Sequence, residues 1–194
     1  MSHREDFADA DWSKMERHQR ERTALAESWM GLTHMRGGQT VVDIGSGPGW
    51  FVRLYARRVA PDGWVYAVEA SPKAVAYLRR TLEEEGIHNV QIVAKDAQQP
   101  LQEVPLADIV TITDVLHHLD HPEQFLRNVR ERLRPDGKLL IAEFSPQGSG
   151  SLGPPLSERL DLEQVTVLLE ATGFQWFIQQ QQAFEHYCLL AQPR

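Results

Sequence analysis

The chain has 194 residues, of which 42% are hydrophobic and 24% charged, and it carries a net charge of -7. That length suits one well-buried domain and is short for two, and the acidic balance argues against general affinity for nucleic acid, which needs a positive surface to neutralise phosphates. No apolar run is long enough to span a bilayer, the stretch from Met1 to Asp11 is too polar and acidic for a secretory signal, and the single cysteine, Cys188, has no internal disulfide partner, so a reducing, cytoplasmic setting is expected.

From residue 12 to about 33 the pattern is helical, with Trp12, Met15, Leu25, Trp29 and Leu32 at mostly helical spacings. Lys14, Arg17, Arg20 and Arg22 alternate with Glu16 and Glu21, which reads as a solvated helix face laced with ion pairs. Thr40 to Ile44 is apolar and β-branched and reads as a strand; Gly49 to Val59 is helical. Trp64 to Glu69 is a second strand. Ser71-Pro72 opens a helix to about Glu85, with serine as N-cap and proline at the first helical position. Val90 to Ala94 and Ala107 to Thr113 are the third and fourth strands. A helix over Pro122 to Leu133 precedes the turn Arg134-Pro135-Asp136-Gly137, and Lys138 to Phe144 is the fifth strand. Residues 145 to about 157 are rich in Gly, Pro and Ser and predict a mobile loop. Asp161 to Thr172 is the last helix, followed by extended runs at Phe174 to Gln180 and His186 to Ala191. Cys188 lies in one of these apolar runs and reads as a core-filling residue.

Strands alternating with helices predict an α/β fold: a Rossmann-like, seven-stranded, mostly parallel sheet with helices on both faces and a C-terminal antiparallel strand. Residues 1–38 form an N-terminal helical segment that packs on the domain or caps its site, and 39–194 a single domain. In such folds ligands bind at the carboxyl ends of the strands. Four acids fall there, one for each of the first four strands: Asp43, Glu69, Asp96 and Asp114.

After Asp43 comes Ile44 and the glycine-rich turn Gly45-Ser46-Gly47-Pro48-Gly49. Glycines let the backbone turn sharply and let a ligand approach closely. The nicotinamide-dinucleotide fingerprint requires a small residue after the last glycine, and Trp50 stands there. A carboxylate at Asp43 also disfavours a pyrophosphate and favours a cationic tail. Glu69 can accept from both hydroxyls of a ribose, and Asp96 from an exocyclic amine. S-adenosyl-L-methionine combines a ribose, an adenine and a cationic amino-acid tail.

The chain resembles the class I S-adenosylmethionine-dependent methyltransferases from Thr40 to Gln192. The resemblance rests on Val42 to Gly49, Val65 to Glu69, Ala94-Lys95-Asp96-Ala97, Asp108 to Leu119 and Leu133 to Lys138, in that order. Asp114-Val115-Leu116-His117-His118-Leu119, together with Gly153-Pro154-Pro155 and Arg159, is most similar to the ubiquinone/menaquinone-biosynthesis type. The resemblance implies the methyl donor S-adenosyl-L-methionine, with S-adenosyl-L-homocysteine as product. It implies that Gly45, Ser46, Gly47, Pro48 and Gly49 pack against the methionine part and that Asp43 orients its tail. It places Glu69 at the ribose, Asp96 and Ala97 at the adenine and the backbone of Asp114 beside the methionine, and it counts Ala70 among the cofactor-binding residues.

Methyl transfer is an in-line displacement at an already activated sulfonium methyl, so the protein has mainly to align the nucleophile and exclude water. A base is needed only where the acceptor loses a proton. His117, His118 and His121 follow the fourth strand, where an acceptor is expected. They read either as structural hydrogen-bonding groups or, for His117 and His118, as substrate contacts or proton acceptors. Adjacent histidines point apart and no cysteine cluster accompanies them, so no metal site is expected. The expected partner is a small-molecule methyl acceptor, bound by a monomer or homodimer. A non-catalytic S-adenosylmethionine/S-adenosylhomocysteine-binding module is the competing reading.

Overall fold

The computed structural model describes residues 10–194. The first nine residues of the N-terminal segment therefore lie outside the described residues. The chain divides into two compact units, with the boundary between Ala97 and Gln98.

The first unit holds three parallel strands and four helices. The strands are β1 (Thr40–Ile44), β2 (Trp64–Glu69) and β3 (Val90–Ala94), ordered β3-β2-β1. Asp43 is level with Ala67 on β2, and Glu69 with Ala94 on β3, so the carboxyl ends of the three strands lie at one edge of this unit. The helices are α1 (Trp12–Glu21), α2 (Thr23–Thr33), α3 (Trp50–Val59) and α4 (Pro72–Glu84). The expected single helical stretch from 12 to 33 is broken at Arg22, whose amide bonds the Gln19 carbonyl, while Thr23 Oγ1 donates to Arg20 O at 2.6 Å. Such local side-chain bonds compete with continuation of a helix. Helix α4 starts as expected: Ser71 Oγ accepts from Ala74 N at 3.3 Å and Pro72 stands in the first turn.

The core of this unit comes from the apolar side chains of β1 and β2 with Phe51, Val52, Tyr55 and Leu78. Helix α2 adds Leu25 and Trp29; the Trp29 and Phe51 rings meet edge-on at 5.2 Å between centroids, a favoured aromatic geometry.

One interaction departs from the sequence reading. Glu16 keeps an ion pair with Arg20 one turn on, at 2.6 Å, but it is 6% exposed and also turns inward to Arg53, which is 1% exposed. The Arg53 guanidinium meets Glu16 at 2.8 Å and Glu85 at 2.5 Å, and Tyr77 donates its hydroxyl to Glu16 at 2.7 Å. Burial works to raise the Glu16 carboxyl, but Arg53, Tyr77 and Arg20 outweigh it and hold it below the usual carboxylate range. Burial, with Glu16, pushes the Tyr77 hydroxyl up.

The second unit holds β4 (Ala107–Thr113), β5 (Leu133–Phe144), β6 (Phe174–Gln181) and β7 (His186–Pro193), in the order β4-β5-β7-β6. β4 and β5 are parallel, whereas β7 runs antiparallel to both β5 and β6. The seven strands give the mixed, mostly parallel sheet that the sequence predicts. The predicted turn at residues 134–137 is a bulge inside β5: Ala107 is level with Leu133, and Ile109 already with Lys138. Helix α5 (Pro122–Arg130) is correspondingly shorter than expected.

Helix α6 (Leu162–Ala171) is closed at its start by a capping box, in which Asp161 accepts from Gln164 N at 2.8 Å and the Gln164 side chain accepts from Asp161 N at 2.8 Å. Cys188 is buried in β7 and its thiol is pushed up to about 11 by that burial, in keeping with a packing role. Among the described residues no helix is long and apolar enough to cross a membrane.

Candidate active site

In the first unit the turn after β1 needs its glycines. Gly45, Gly47 and Gly49 have φ of 72°, 53° and 81°, values that side chains with a Cβ adopt at a cost. At Gly49 a Cβ would also collide with the Leu78 side chain, so both conformation and space select glycine there. The turn is tied down from below: Gly45 N and Ser46 N both bond Val68 O, at 2.9 and 3.2 Å, and Ser46 Oγ donates to Asp43 O at 2.9 Å. Asp43 itself is buried near the end of β1.

Glu69, the last residue of β2, clasps the turn. Its Oε2 accepts from Gly47 N at 2.8 Å and its Oε1 from Ser71 N at 2.7 Å. A carboxylate has about four lone-pair positions, so these two bonds leave capacity for hydroxyl donors. Asp96 and Ala97 lie just beyond β3, partly exposed. Each acid therefore stands at the strand end where the sequence placed it.

The N-terminal helix reaches this turn. Gln19 on α1 accepts from Trp50 N at 3.1 Å, the first amide of α3. A Cβ at Gly47 would lie 3.8 Å from the Gln19 amide nitrogen and 3.9 Å from the Trp12 ring. The Trp50 indole donates to Thr23 Oγ1 at 2.9 Å, and the Arg20 guanidinium lies 4.2 Å over the Trp50 ring. The residue that excludes the dinucleotide fingerprint is thus the one that anchors α1 and α2.

In the second unit Asp114 follows β4 with a left-handed φ of 58°. Its Oδ1 meets His186 Nε2 at 2.9 Å, and His186 Nδ1 meets Phe184 O at 2.7 Å; His186 is 1% exposed. A single 3₁₀ turn, Leu116–His118, comes next and carries both predicted histidines. They do not point apart as residues on a strand end would: on this tight turn their rings are in contact, with centroids 3.9 Å apart.

The residue that organises this turn is Glu143 on β5, which no sequence motif marks. It is 1% exposed. Its Oε1 accepts from Val115 N at 2.9 Å and Leu116 N at 2.7 Å, and its Oε2 faces His117 Nδ1 at 2.7 Å. Burial works to lower the His117 pKa, but the Glu143 bond and the charges of Glu143, Asp114 and Glu158 outweigh it and raise it above the ordinary histidine value. A ring with a raised pKa stabilises the fold fully below the unfolded value and loses that contribution as pH rises through the folded one. The melting temperature of the wild type, relative to His117→Gln, is therefore expected to be highest in mild acid and to shrink toward parity on the alkaline side of the histidine range. A difference that grows with pH would contradict the pairing.

The Gly/Pro/Ser-rich segment predicted as a mobile loop is stitched closed. The buried Arg159 donates to Ser145 O at 2.8 Å, to Pro154 O at 3.0 Å and to Leu152 O, and pairs with Glu185 at 2.7 Å. Glu185 also accepts from Ser149 Oγ, Gly150 N, Ser151 N and Ser151 Oγ. Arg159, with Ser149 and Ser151, holds its carboxyl well below the usual carboxylate range. It reaches them from a hairpin turn in which Phe184 and Glu185 are both left-handed, at φ of 57° and 59°.

A glycine turn between a helix and a strand whose penultimate residue is an acid, with a second acid closing on it from the next strand, defines a Rossmann-like α/β protein. A family model described as a methyltransferase domain matches residues 42–141, just over half of the chain. The chain belongs to this family, the class I S-adenosylmethionine-dependent methyltransferases.

Among curated relatives, the ubiquinone/menaquinone biosynthesis C-methyltransferase UbiE of Ectopseudomonas mendocina (strain ymp) is 34% identical over 119 residues, which is 61% of this chain and 46% of the relative. A protein-L-isoaspartate O-methyltransferase of Pyrococcus horikoshii is 28% identical over 142 residues, 73% of this chain and 59% of that one. The chain spans about half the length of the curated relatives it matches. Among solved structures, a SAM-dependent methyltransferase from Aquifex aeolicus superposes with a TM-score of 0.86 at 22% identity, covering 96% of this chain and all of that one. The cyclase SpnF superposes at 0.76 with 19% identity, covering 88% of this chain and 80% of its own. These last two similarities show the fold.

Proposed function

We propose that the chain transfers the methyl group of S-adenosyl-L-methionine to a small-molecule acceptor by in-line displacement. The observation that carries this reading is the clasp of Glu69 on a turn of three left-handed glycines after Asp43. In this reading the backbone from Gly45 to Gly49 packs on the methionine part, Asp43 orients its ammonium group, and Glu69 with Ala70 takes the ribose. Asp96 and Ala97 take the adenine, and the Asp114 backbone flanks the tail. His117 is the proton acceptor where the acceptor molecule must lose a proton, and His118 lines the acceptor side. The donor's leaving group is a neutral thioether, so alignment and exclusion of water carry most of the acceleration.

The test is calorimetric titration with S-adenosyl-L-homocysteine, followed by transfer of labelled methyl from the donor to a panel of acceptors. The panel holds quinols, amines, thiols and an isoaspartyl peptide, because the relatives include both a quinone-pathway and a protein-directed enzyme by name. Transfer to the peptide alone would overturn the small-molecule reading. Binding without transfer to any of them would favour a non-catalytic binding module, and no binding would overturn both.

Helix α1 serves in this proposal as the cover of the donor turn, through Gln19 and Trp12. Deleting residues 1–20 is expected to weaken donor binding about tenfold or more, the order expected for losing preorganisation of a binding loop. The deletion also strips Arg53 of Glu16, so the melting temperature falls as well. Glu16→Gln separates the effects, because it weakens the ion pair and keeps the helix. If Glu16→Gln weakens binding as much as the deletion, the helix acts through stability and not as a cover.

A further inference from the structure

We infer that Glu143 is a positioning residue that fixes the proton of His117 on Nδ1 and so presents Nε2 as a lone-pair acceptor. The inference rests on the proposed methyltransferase reading for its use, and on geometry alone for its content.

Glu143 interrupts the apolar run from Leu139 to Phe144. A charged group in that position is costly unless every lone pair facing the protein is used. Glu143 divides its two oxygens: Oε1 takes the amides of Val115 and Leu116, and Oε2 faces His117 Nδ1. An ionised carboxylate has no proton to give, so the hydrogen between Oε2 and Nδ1 belongs to the ring. A neutral imidazole has one N–H, and the other nitrogen is then an acceptor. Among the described residues no hydrogen-bond partner takes that nitrogen. One side chain thus fixes the turn that carries the histidine, the plane of its ring and its tautomer.

The second histidine–carboxylate pair behaves differently. His186 has both nitrogens engaged, by Asp114 and by the Phe184 carbonyl, and it is buried. It holds the left-handed Asp114 in place and has no nitrogen to offer. The groups that face His117 are Glu143 on β5, Asp114 after β4, Glu158 near the end of the stitched segment, and the His118 ring.

Where the acceptor must lose a proton, that proton passes to His117 Nε2, and the freed pair forms the new bond to the methyl carbon. The sulfur–methyl bond breaks with its electrons remaining on sulfur. The products are the methylated acceptor, the neutral thioether S-adenosyl-L-homocysteine and a His117 imidazolium paired with Glu143.

Nitrogen-15 spectra of the histidine rings in the full chain, recorded across a pH titration without donor or acceptor, test the assignment. In the wild type the neutral His117 ring is expected to carry its hydrogen on Nδ1. Glu143→Gln is expected to reverse this. Its carboxamide oxygen can keep the Val115 and Leu116 amides, while its NH₂ group donates to Nδ1 and drives the ring hydrogen to Nε2. With a methylated acceptor from the panel, Glu143→Gln then lowers kcat about 10²-fold or more, the usual worth of a general base, and leaves KM within about twofold. A neutral wild-type ring protonated on Nε2 overturns the inference, and that measurement stands even if Glu143→Gln fails to fold. An unchanged tautomer in a folded Glu143→Gln also overturns it. The expected tautomers in a protein that transfers no methyl group would overturn the methyltransferase reading and leave the positioning role standing.

Discussion

Arg53→Met is expected to cost about 3–5 kcal/mol of stability, the usual penalty for removing one partner of a buried ion pair. For a chain of this length that is roughly a 10 °C fall in melting temperature. The substitution keeps the volume of the side-chain stem and leaves Glu16 and Glu85 without the cation between them. Arg53 also donates from Nε to Gly49 O at 3.3 Å, so the glycine turn loosens with it. Adding Glu16→Gln to Arg53→Met should restore part of the loss, because the stranded charge is then gone. The network also has an acid limit. Glu16 is held below its ordinary value, so its contribution is complete above that value and fades as pH falls through the folded one. Thermal denaturation of the three proteins at neutral and acid pH decides the matter. An Arg53→Met protein melting within about two degrees of the wild type would show that water already screens the trio.

Glu69→Ala is expected to weaken S-adenosyl-L-homocysteine binding about a hundredfold or more. Two charge-assisted hydrogen bonds to ribose hydroxyls, each worth about 1.5–3 kcal/mol, set that scale. The same substitution frees the amides of Gly47 and Ser71, so the turn also loses its clasp. Glu69→Gln should fall between the two, because one end of its side chain becomes a donor facing one of those amides. Calorimetric titration of the three proteins gives the answer. Affinity unchanged within threefold in Glu69→Ala would remove Glu69 from the ribose and leave it a loop-fastening residue.

The elements that were legible in the sequence are those whose signal is local. β1 through α4 are written in β-branched runs, in Ser71-Pro72 and in the glycines that follow Asp43, and the structure places Asp43, Glu69, Asp96 and Asp114 at or just past their strand ends. Boundaries moved where a local signal had two physical outcomes: residues 134–137 read as a turn and fold as a bulge within β5. What escaped is pairing across long stretches of chain. Glu16 with Arg53, His117 with Glu143 and Arg159 with Glu185 join residues on different elements, and no periodicity connects them. One sign was available. A lone glutamate inside the apolar run Leu139 to Phe144 is rarely tolerated without a partner, and the adjacent histidines of the preceding segment were the nearest candidates of matching chemistry.

The stitched segment between Ser145 and Arg159 has a consequence for how this protein can diversify. The Arg159 guanidinium, at the end of the segment, holds the Ser145 carbonyl at its start and the Leu152 and Pro154 carbonyls in its middle, and Glu185 fastens it from the hairpin. A ring closed in this way has a set circumference. One residue gained or lost between Leu152 and Arg159 would draw the cation off at least one carbonyl and leave a buried charge short of partners. Insertions are therefore excluded from this stretch, and change there must come as substitution. The exposed side chains of Leu152 and Leu156 are among the positions where the ring tolerates it.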